Sequence, residues 1–314
     1  MCLDIRPFGS WERNAWLSDG RLELVVTLEV GPRVIRLAHP GGENLLHVDE
    51  RTLGGRGEET WQMRGGHRLW IAPESAELSY EPDNEPVDFE AVAGGICVAT
   101  PPGPVSRIKK RLTVMLPGDA TARLRHEIVN HGSSTVSLAP WAVTAFRPGG
   151  RVIVPLPGPD PKANRFVPTH RWVFWPYTNI ADPRLVRTDA YLQIAADPTV
   201  RPAFKMGIDH REGWVAYANG GICFWKAFRP GSGDYPDGGV SLEVFLGRRA
   251  AELETLGAIA ALEPGDRAVH DEFWALDAPL ELNERDAYER LVEPAGRRLS
   301  EKLGAGGRSE LAGG

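Results

Sequence analysis

The chain has 314 residues, 42% of them apolar and 25% charged, which is enough to bury a core without cross-links. A net charge of −6 and a pI near 5.8 leave no basic footprint for nucleic acid and no polybasic patch for a membrane surface. The three cysteines, Cys2, Cys97 and Cys223, are odd in number and unpaired in spacing, which argues against a disulfide framework and against a structural zinc site.

The start of the chain has no cationic segment followed by an apolar run, and no apolar stretch reaches membrane-spanning length. The expected location is therefore the cytoplasm. Cys97 and Cys223 sit in apolar runs and are expected to be buried thiols. The 35 glycines and 26 prolines are spread along the whole chain and punctuate short strands. Ten tryptophans are more than a core needs. They suggest exposed aromatic faces of the kind on which sugar rings stack.

In chain order, residues 21–30, 33–38 and 44–48 read as strands, separated by Gly31-Pro32 and Pro40-Gly41-Gly42. Residues 50–60 are a polar, glycine-rich loop. It leads into Arg64-Gly65-Gly66-His67-Arg68-Leu69-Trp70-Ile71-Ala72-Pro73-Glu74, a mixture no ordinary strand needs. Paired glycines allow a sharp turn or a close approach, and His67 can move a proton near neutral pH. Leu69-Trp70-Ile71 is a short buried strand holding the polar ends. Within this stretch His67, rather than Glu74, is expected to touch a ligand.

Residues 81–86 form an acidic, proline-containing loop. Strands follow at 87–92, 95–100, 108–115, 122–129 and 136–146. Residues 148–185 read as one long irregular segment, rich in proline and carrying His170, Trp172, Trp175 and Tyr177, of the kind that covers a cleft. Further strands are predicted at 191–194, 204–207, 213–218, 222–228, 241–246, 251–256 and 270–276. Asn283-Glu284-Arg285-Asp286 caps an amphipathic helix over 281–303 that carries Ala287, Leu291 and Val292, with Pro294 interrupting or kinking it. Residues 304–314 are expected to be a disordered tail. With no internal repeat and no break in composition, residues 1–280 read as one large all-β sandwich.

Two constellations could carry chemistry. Glu252 and Glu254 fall on one face of a strand. Two carboxylates so placed either face water or share a site in which one pKa is raised, as a general acid or base requires. Glu243, on a neighbouring strand, is a third acid within reach. Lys205 interrupts an apolar strand and points either to solvent or into a polar cleft, where it could hold a sugar hydroxyl or a carboxylate. The histidines show no metal-binding spacing, and there is no nucleotide-binding glycine motif and no nucleophile elbow. No metal and no cofactor is implied.

The motif Gly65-Gly66-His67-Arg68-Leu69-Trp70-Ile71-Ala72-Pro73-Glu74 resembles one found in a bacterial branch of the galactose-mutarotase-like proteins. Two later segments extend the resemblance: Glu252-Leu253-Glu254-Thr255-Leu256-Gly257, then Leu262-Glu263-Pro264-Gly265 followed by His270-Asp271-Glu272-Phe273-Trp274. Together they cover roughly residues 20 to 276. The resemblance implies an antiparallel β-supersandwich with a short C-terminal helix, and a small sugar or sugar-like ligand.

In aldose 1-epimerases of this superfamily a glutamate in an L-E-T segment is the base and a histidine is the acid. Leu253-Glu254-Thr255 matches that segment, so Glu254 is the candidate base. The strand on which the epimerases carry their acid histidine reads Ala139-Pro140-Trp141-Ala142-Val143 here, without one. His67 is the remaining candidate for acid or anchor. Arg64, Arg68, Trp70, Glu243, Glu252, Lys205, Trp141 and Trp175 are candidates for substrate binding. Three readings follow: a sugar epimerase or a related lyase or hydrolase, a sugar-binding protein without catalysis, and an interaction role unrelated to sugar. The oligomeric state is not fixed by the sequence.

Overall fold

The computed structural model describes residues 1–158, 166–277 and 288–310, with side chains through residue 303. Its strands in order are β1 (Cys2–Phe8), β2 (Trp11–Ser18), β3 (Glu23–Thr27), β4 (Arg33–Ala38), β5 (His67–Ala72), β6 (Asp88–Val92) and β7 (Gly95–Ala99). There follow β8 (Ile108–Met115), β9 (Thr121–Asn130), β10 (Val136–Phe146), β11 (Arg151–Pro155), β12 (Trp172–Phe174), β13 (Leu185–Arg187) and β14 (Tyr191–Ala195). The last are β15 (Phe204–Ile208), β16 (Trp214–Asn219), β17 (Ile222–Phe228), β18 (Leu242–Leu246), β19 (Ala251–Leu256), β20 (Ala260–Leu262) and β21 (Arg267–Asp277).

They form two antiparallel sheets. The first runs β1-β2-β3-β4-β5-β10-β19-β18-β15-β12, with β20 paired to β10. The second runs β13-β14-β11-β16-β17-β21-β9-β8-β7-β6. Side chains alternate across each strand, and the inward sets from both sheets meet in one core. Phe146, Phe204, Met206, Leu242, Val244 and Leu253 come from the first sheet, and Val98, Leu112, Leu124, Val215 and Phe224 from the second. The all-β supersandwich expected from the sequence is the observed fold.

Several local expectations differ from the structure. Residues 44–48 form only isolated bridges, Leu46 to Phe146 and Val48 to Gly65, because their backbone groups are divided among three neighbours, Leu37, the end of β10 and the turn before β5. The 148–185 stretch contains two strands, β11 and β12, and ends at the first residue of β13; their partners are β14, β16 and β15. Its residues 159–165 lie outside the described set. None of the ten tryptophans is exposed. Cys97 and Cys223 are buried, as expected, and Cys2 is exposed.

The C-terminal helix is described over Glu293–Glu310, past the end expected at 303. A π-helical turn over Tyr288–Val292 runs directly into it, and Pro294 lies at the change from π to α, where the sequence placed an interruption or kink. The cap expected at Asn283–Asp286 and residues 311–314 lie outside the described residues. Leu299, Leu303 and Val292 cover Trp214, Trp225 and Phe273 on the outer face of the second sheet. Among the described residues no helix is long and apolar enough to cross a membrane.

Candidate functional site

The outer face of the first sheet is hollowed where β5, β10, β19, β18 and β15 lie side by side. Pairing sets the positions. Arg68 lies across from Val143, Val143 from Glu254, and Glu254 from Glu243. One step along, Glu252 faces Phe245, and Phe245 faces Lys205. All these residues share one face. Arg68, Glu252, Glu254, Phe245 and Lys205, with Trp70 and Trp141, floor a cleft of about 250 Å³. Trp61, Met63, Glu74, Tyr80 and Tyr177 wall it from loops.

The turn entering β5 explains the glycine pair. Gly65 and Gly66 have φ of 83° and 70°, a region that disfavours side chains. A Cβ on Gly65 would collide with the His47 carbonyl, and one on Gly66 with the Val34 carbonyl. The glycines let β5 tuck against its neighbours, so their role is backbone approach.

The charges in the cleft are paired. Arg68 Nη1 donates to Glu252 Oε1 at 2.9 Å. Lys205 Nζ lies 2.7 Å from Glu243 Oε2 and 3.3 Å from Glu254 Oε2, and Trp141 Nε1 donates to Glu254 Oε2 at 2.9 Å. The Lys205 ammonium sits over the rings of Trp141 (4.8 Å) and Trp175 (4.5 Å). The Arg68 guanidinium sits over Trp70 and Trp61. The aromatic rings meet edge to face, Trp61 on Trp70 at 5.2 Å and Trp70 on Trp141 at 5.3 Å. Cations thus take up indole faces in this cleft.

Burial raises the Glu254 carboxyl above the usual range, Lys205 opposes the rise, and Glu252 adds to it. Burial and the Glu254 charge push Glu243 well above that range. Burial works against the Lys205 charge, but Glu254 and Glu243 together outweigh it and hold the ammonium above the lysine range. The geometry places one ammonium between two buried carboxyl groups, Glu243 and Glu254.

The remaining sequence candidates fall elsewhere. Glu243 is fully buried behind Lys205 and does not line the cleft. Trp175 backs Lys205 without lining it. Arg64 is buried in the loop layer, where it donates to Glu58, Asn84 and the Thr52 carbonyl. His67 leaves β5 on the face opposite Arg68 and enters the space between the sheets. It does not meet Glu254. Glu74 lines the cleft and accepts a hydrogen bond from Tyr80 at 2.7 Å. Tyr177 comes from the aromatic segment expected to cover a cleft, whereas Trp61, Met63, Tyr80 and Phe245 were not singled out from the sequence. The aromatic content of the loops was the signal available for them, without any indication of which sheet face they cover.

His67 belongs to a second polar cluster. His126 Nδ1 donates to the His270 carbonyl at 2.9 Å, which leaves its Nε2 as an acceptor. His67 Nε2 donates to that nitrogen at 2.7 Å, and Thr144 donates to His67 Nδ1 at 2.8 Å. His270 Nε2 donates to the Thr255 hydroxyl, and Thr255 donates to Glu272. Lys226 Nζ lies 2.9 Å from Glu272, and Trp274 Nε1 donates to its other oxygen at 2.8 Å. Burial lowers the pKa of all three histidines.

His67, His126 and Glu272 offer ligand atoms within 4.8 Å of one another, close enough for one metal ion to bridge. Lys226, however, already neutralises Glu272, and the N–H and O–H groups of the chain donate in order from Thr144 to the His270 carbonyl. The cluster is complete as a hydrogen-bonded core network. A further hollow of about 420 Å³ lies on the outer face of the second sheet, lined by Lys109, Arg111, Asp88 and Glu90 among others. It holds no buried carboxylate, so the chemistry points to the smaller cleft.

No family model matches the sequence, and no curated protein does. Solved structures match it by shape. The fold is that of the galactose mutarotase-like proteins. One such protein from Lactobacillus casei ATCC 334 is 10% identical, covers 84% of this chain and 100% of its own, and superposes with a TM-score of 0.55. Another, from Clostridium acetobutylicum, is 9% identical over 88% of this chain and 98% of its own, again at 0.55. The Slr1438 protein from Synechocystis sp. PCC 6803 is 10% identical over 88% and 99%, at 0.58. At these identities the likeness is one of fold.

Proposed function

We propose that the cleft binds an aldose or a closely related sugar and that Glu254 acts on it as a base. The observation that carries this reading is a buried carboxylate, raised in pKa, on the floor of an aromatic-walled cleft. The carboxylates and cations around it suit a polyol, whose hydroxyls both donate and accept. In this reading Glu254 takes the proton of the anomeric hydroxyl, the bond from the anomeric carbon to the ring oxygen opens, and the ring recloses on either face. The fold shared with mutarotase-like proteins supports the same choice.

A second reading, sugar binding without turnover, is favoured by one observation: among the described residues none that lines the cleft is a histidine. Polarimetry of freshly dissolved α-D-glucose and α-D-galactose, with wild type and Glu254→Gln, separates the two. Faster mutarotation by wild type, lost in the variant, establishes the enzyme. Saturable quenching of tryptophan fluorescence that survives in the variant, without turnover in wild type, establishes the binding protein. Neither signal with any aldose removes the sugar reading.

A further inference from the structure

We infer that Lys205 is the acid that protonates the ring oxygen, in the place a histidine would hold, an assignment that rests on the ring opening proposed for Glu254. In a pyranose the ring oxygen and the anomeric oxygen are attached to the same carbon. The acid and base that serve them must therefore stand side by side, within hydrogen-bond reach of neighbouring atoms. Lys205 Nζ and Glu254 Oε2 are 3.3 Å apart, and both residues line the cleft.

An ammonium has three N–H donors. Glu243 and Glu254 take two of them, at 2.7 and 3.3 Å. Among the described residues the third has no oxygen partner, only the indole faces of Trp141 and Trp175 at 4.8 and 4.5 Å, and Lys205 lines the cleft in which a ligand would compete for it. The other cleft donors are less well placed for this step. Arg68 is held by Glu252, and a guanidinium does not release its proton. Tyr80 donates to Glu74, and Tyr177 stands at the rim, about half exposed. Lys205 is also fixed in place: its backbone N–H donates to Thr178 Oγ1 at 2.9 Å, and Thr178 Oγ1 donates to its carbonyl at 2.8 Å.

The proton count balances. Glu254 gains the anomeric proton as the carbon–ring-oxygen bond breaks, and Lys205 passes one proton to the ring oxygen. The open-chain aldehyde then faces a neutral carboxyl and a neutral amine. Reclosure returns both protons. The two transfers assist each other. The carboxylate charges hold the Lys205 proton tightly, and that hold weakens as Glu254 becomes neutral.

The test compares wild type, Lys205→Met and Lys205→Arg by polarimetry on the same two sugars, with fluorescence titration for binding. Arginine keeps a cation between Glu243 and Glu254 but cannot serve as an acid, so it also guards against a loss of folding in the methionine variant. The expected result is a drop in kcat of about 100-fold or more in Lys205→Arg, with sugar affinity held within about threefold. Turnover within about threefold of wild type in Lys205→Arg overturns the assignment. So does a parallel loss of binding and turnover, which would give Lys205 only the task of holding the site. A wild type that binds sugar without turning it over removes the reaction itself and overturns the roles of both Glu254 and Lys205, whereas an active wild type with an active Lys205→Arg overturns the Lys205 assignment alone.

Discussion

His67 and Arg68 are consecutive residues whose side chains leave β5 in opposite directions. The guanidinium of Arg68 meets Glu252 in the cleft at 2.9 Å, and the imidazole of His67 meets His126 between the sheets at 2.7 Å. The same division recurs on β19, where Glu254 faces the cleft and Thr255 faces the core cluster. One patch of sheet is therefore polar on both sides, and the two sides answer to different experiments.

The first experiment separates those sides. His67→Ala removes a fully buried ring and leaves His126 Nε2 without its donor. The expected cost is about 2–4 kcal/mol of stability, read by urea denaturation, with sugar affinity unchanged in the fraction that stays folded. A change in affinity without a loss of stability would place His67 in the site after all.

The buried histidines set the acid limb of stability. His210 and His270 are both lowered to about 4, by burial first of all. Their folded pKa values lie below the unfolded value near 6.5, so the unfolded chain binds more protons between those limits. Stability is complete above about pH 6.5 and falls as pH drops toward 4, by up to about 3 kcal/mol for each such group. Denaturation midpoints at pH 7, 5.5 and 4.5 should fall in that order. A flat series across that range would contradict neutral burial.

Lys226 and Glu272 form an ion pair with neither side chain exposed. Removing one partner leaves the other charge uncompensated, so Lys226→Met and Glu272→Gln should each cost about 3–5 kcal/mol. The double variant should cost less than the sum of the two, because its remaining groups are neutral. Strict additivity in the double-mutant cycle would mean that the two charges do not interact.

Gly66→Ala tests the entry to β5. Its φ of 70° and the nearby Val34 carbonyl leave no room for a methyl group. The expected loss is about 2 kcal/mol or more, visible as a lower melting temperature. Gly41→Ala, also at positive φ but with open space around it, should cost less. Equal losses at the two positions would assign the effect to φ alone.

The all-β architecture was readable because short alternating runs are bounded by glycine and proline, a signal that lies within each strand. The shared face of Glu252 and Glu254 was readable for the same reason. The partners of His67 were not. Thr144 and His126 lie 77 and 59 residues away, and nothing in a strand's own pattern says which distant strand will pair with it. The strands inside 148–185 were hidden by proline and aromatic content that reads as loop. Their register is supplied by strands that come later in the chain, β14 and β16 for β11, β15 for β12 and β14 for β13.

By itself the sequence determined that the chain would form a large β-sandwich, that Glu254 would share a strand face with Glu252, and that the glycines before His67 would shape a turn. Those properties depend on local periodicity and on what a single residue type permits. The tertiary structure alone decided which sheet face each polar residue enters. It turned Arg68, Glu254 and Lys205 toward one cleft and His67, Thr255 and Glu272 toward the core. The reason is that a strand's alternation fixes which residues share a face, while only the packing of one sheet against the other decides which face is covered and which stays open.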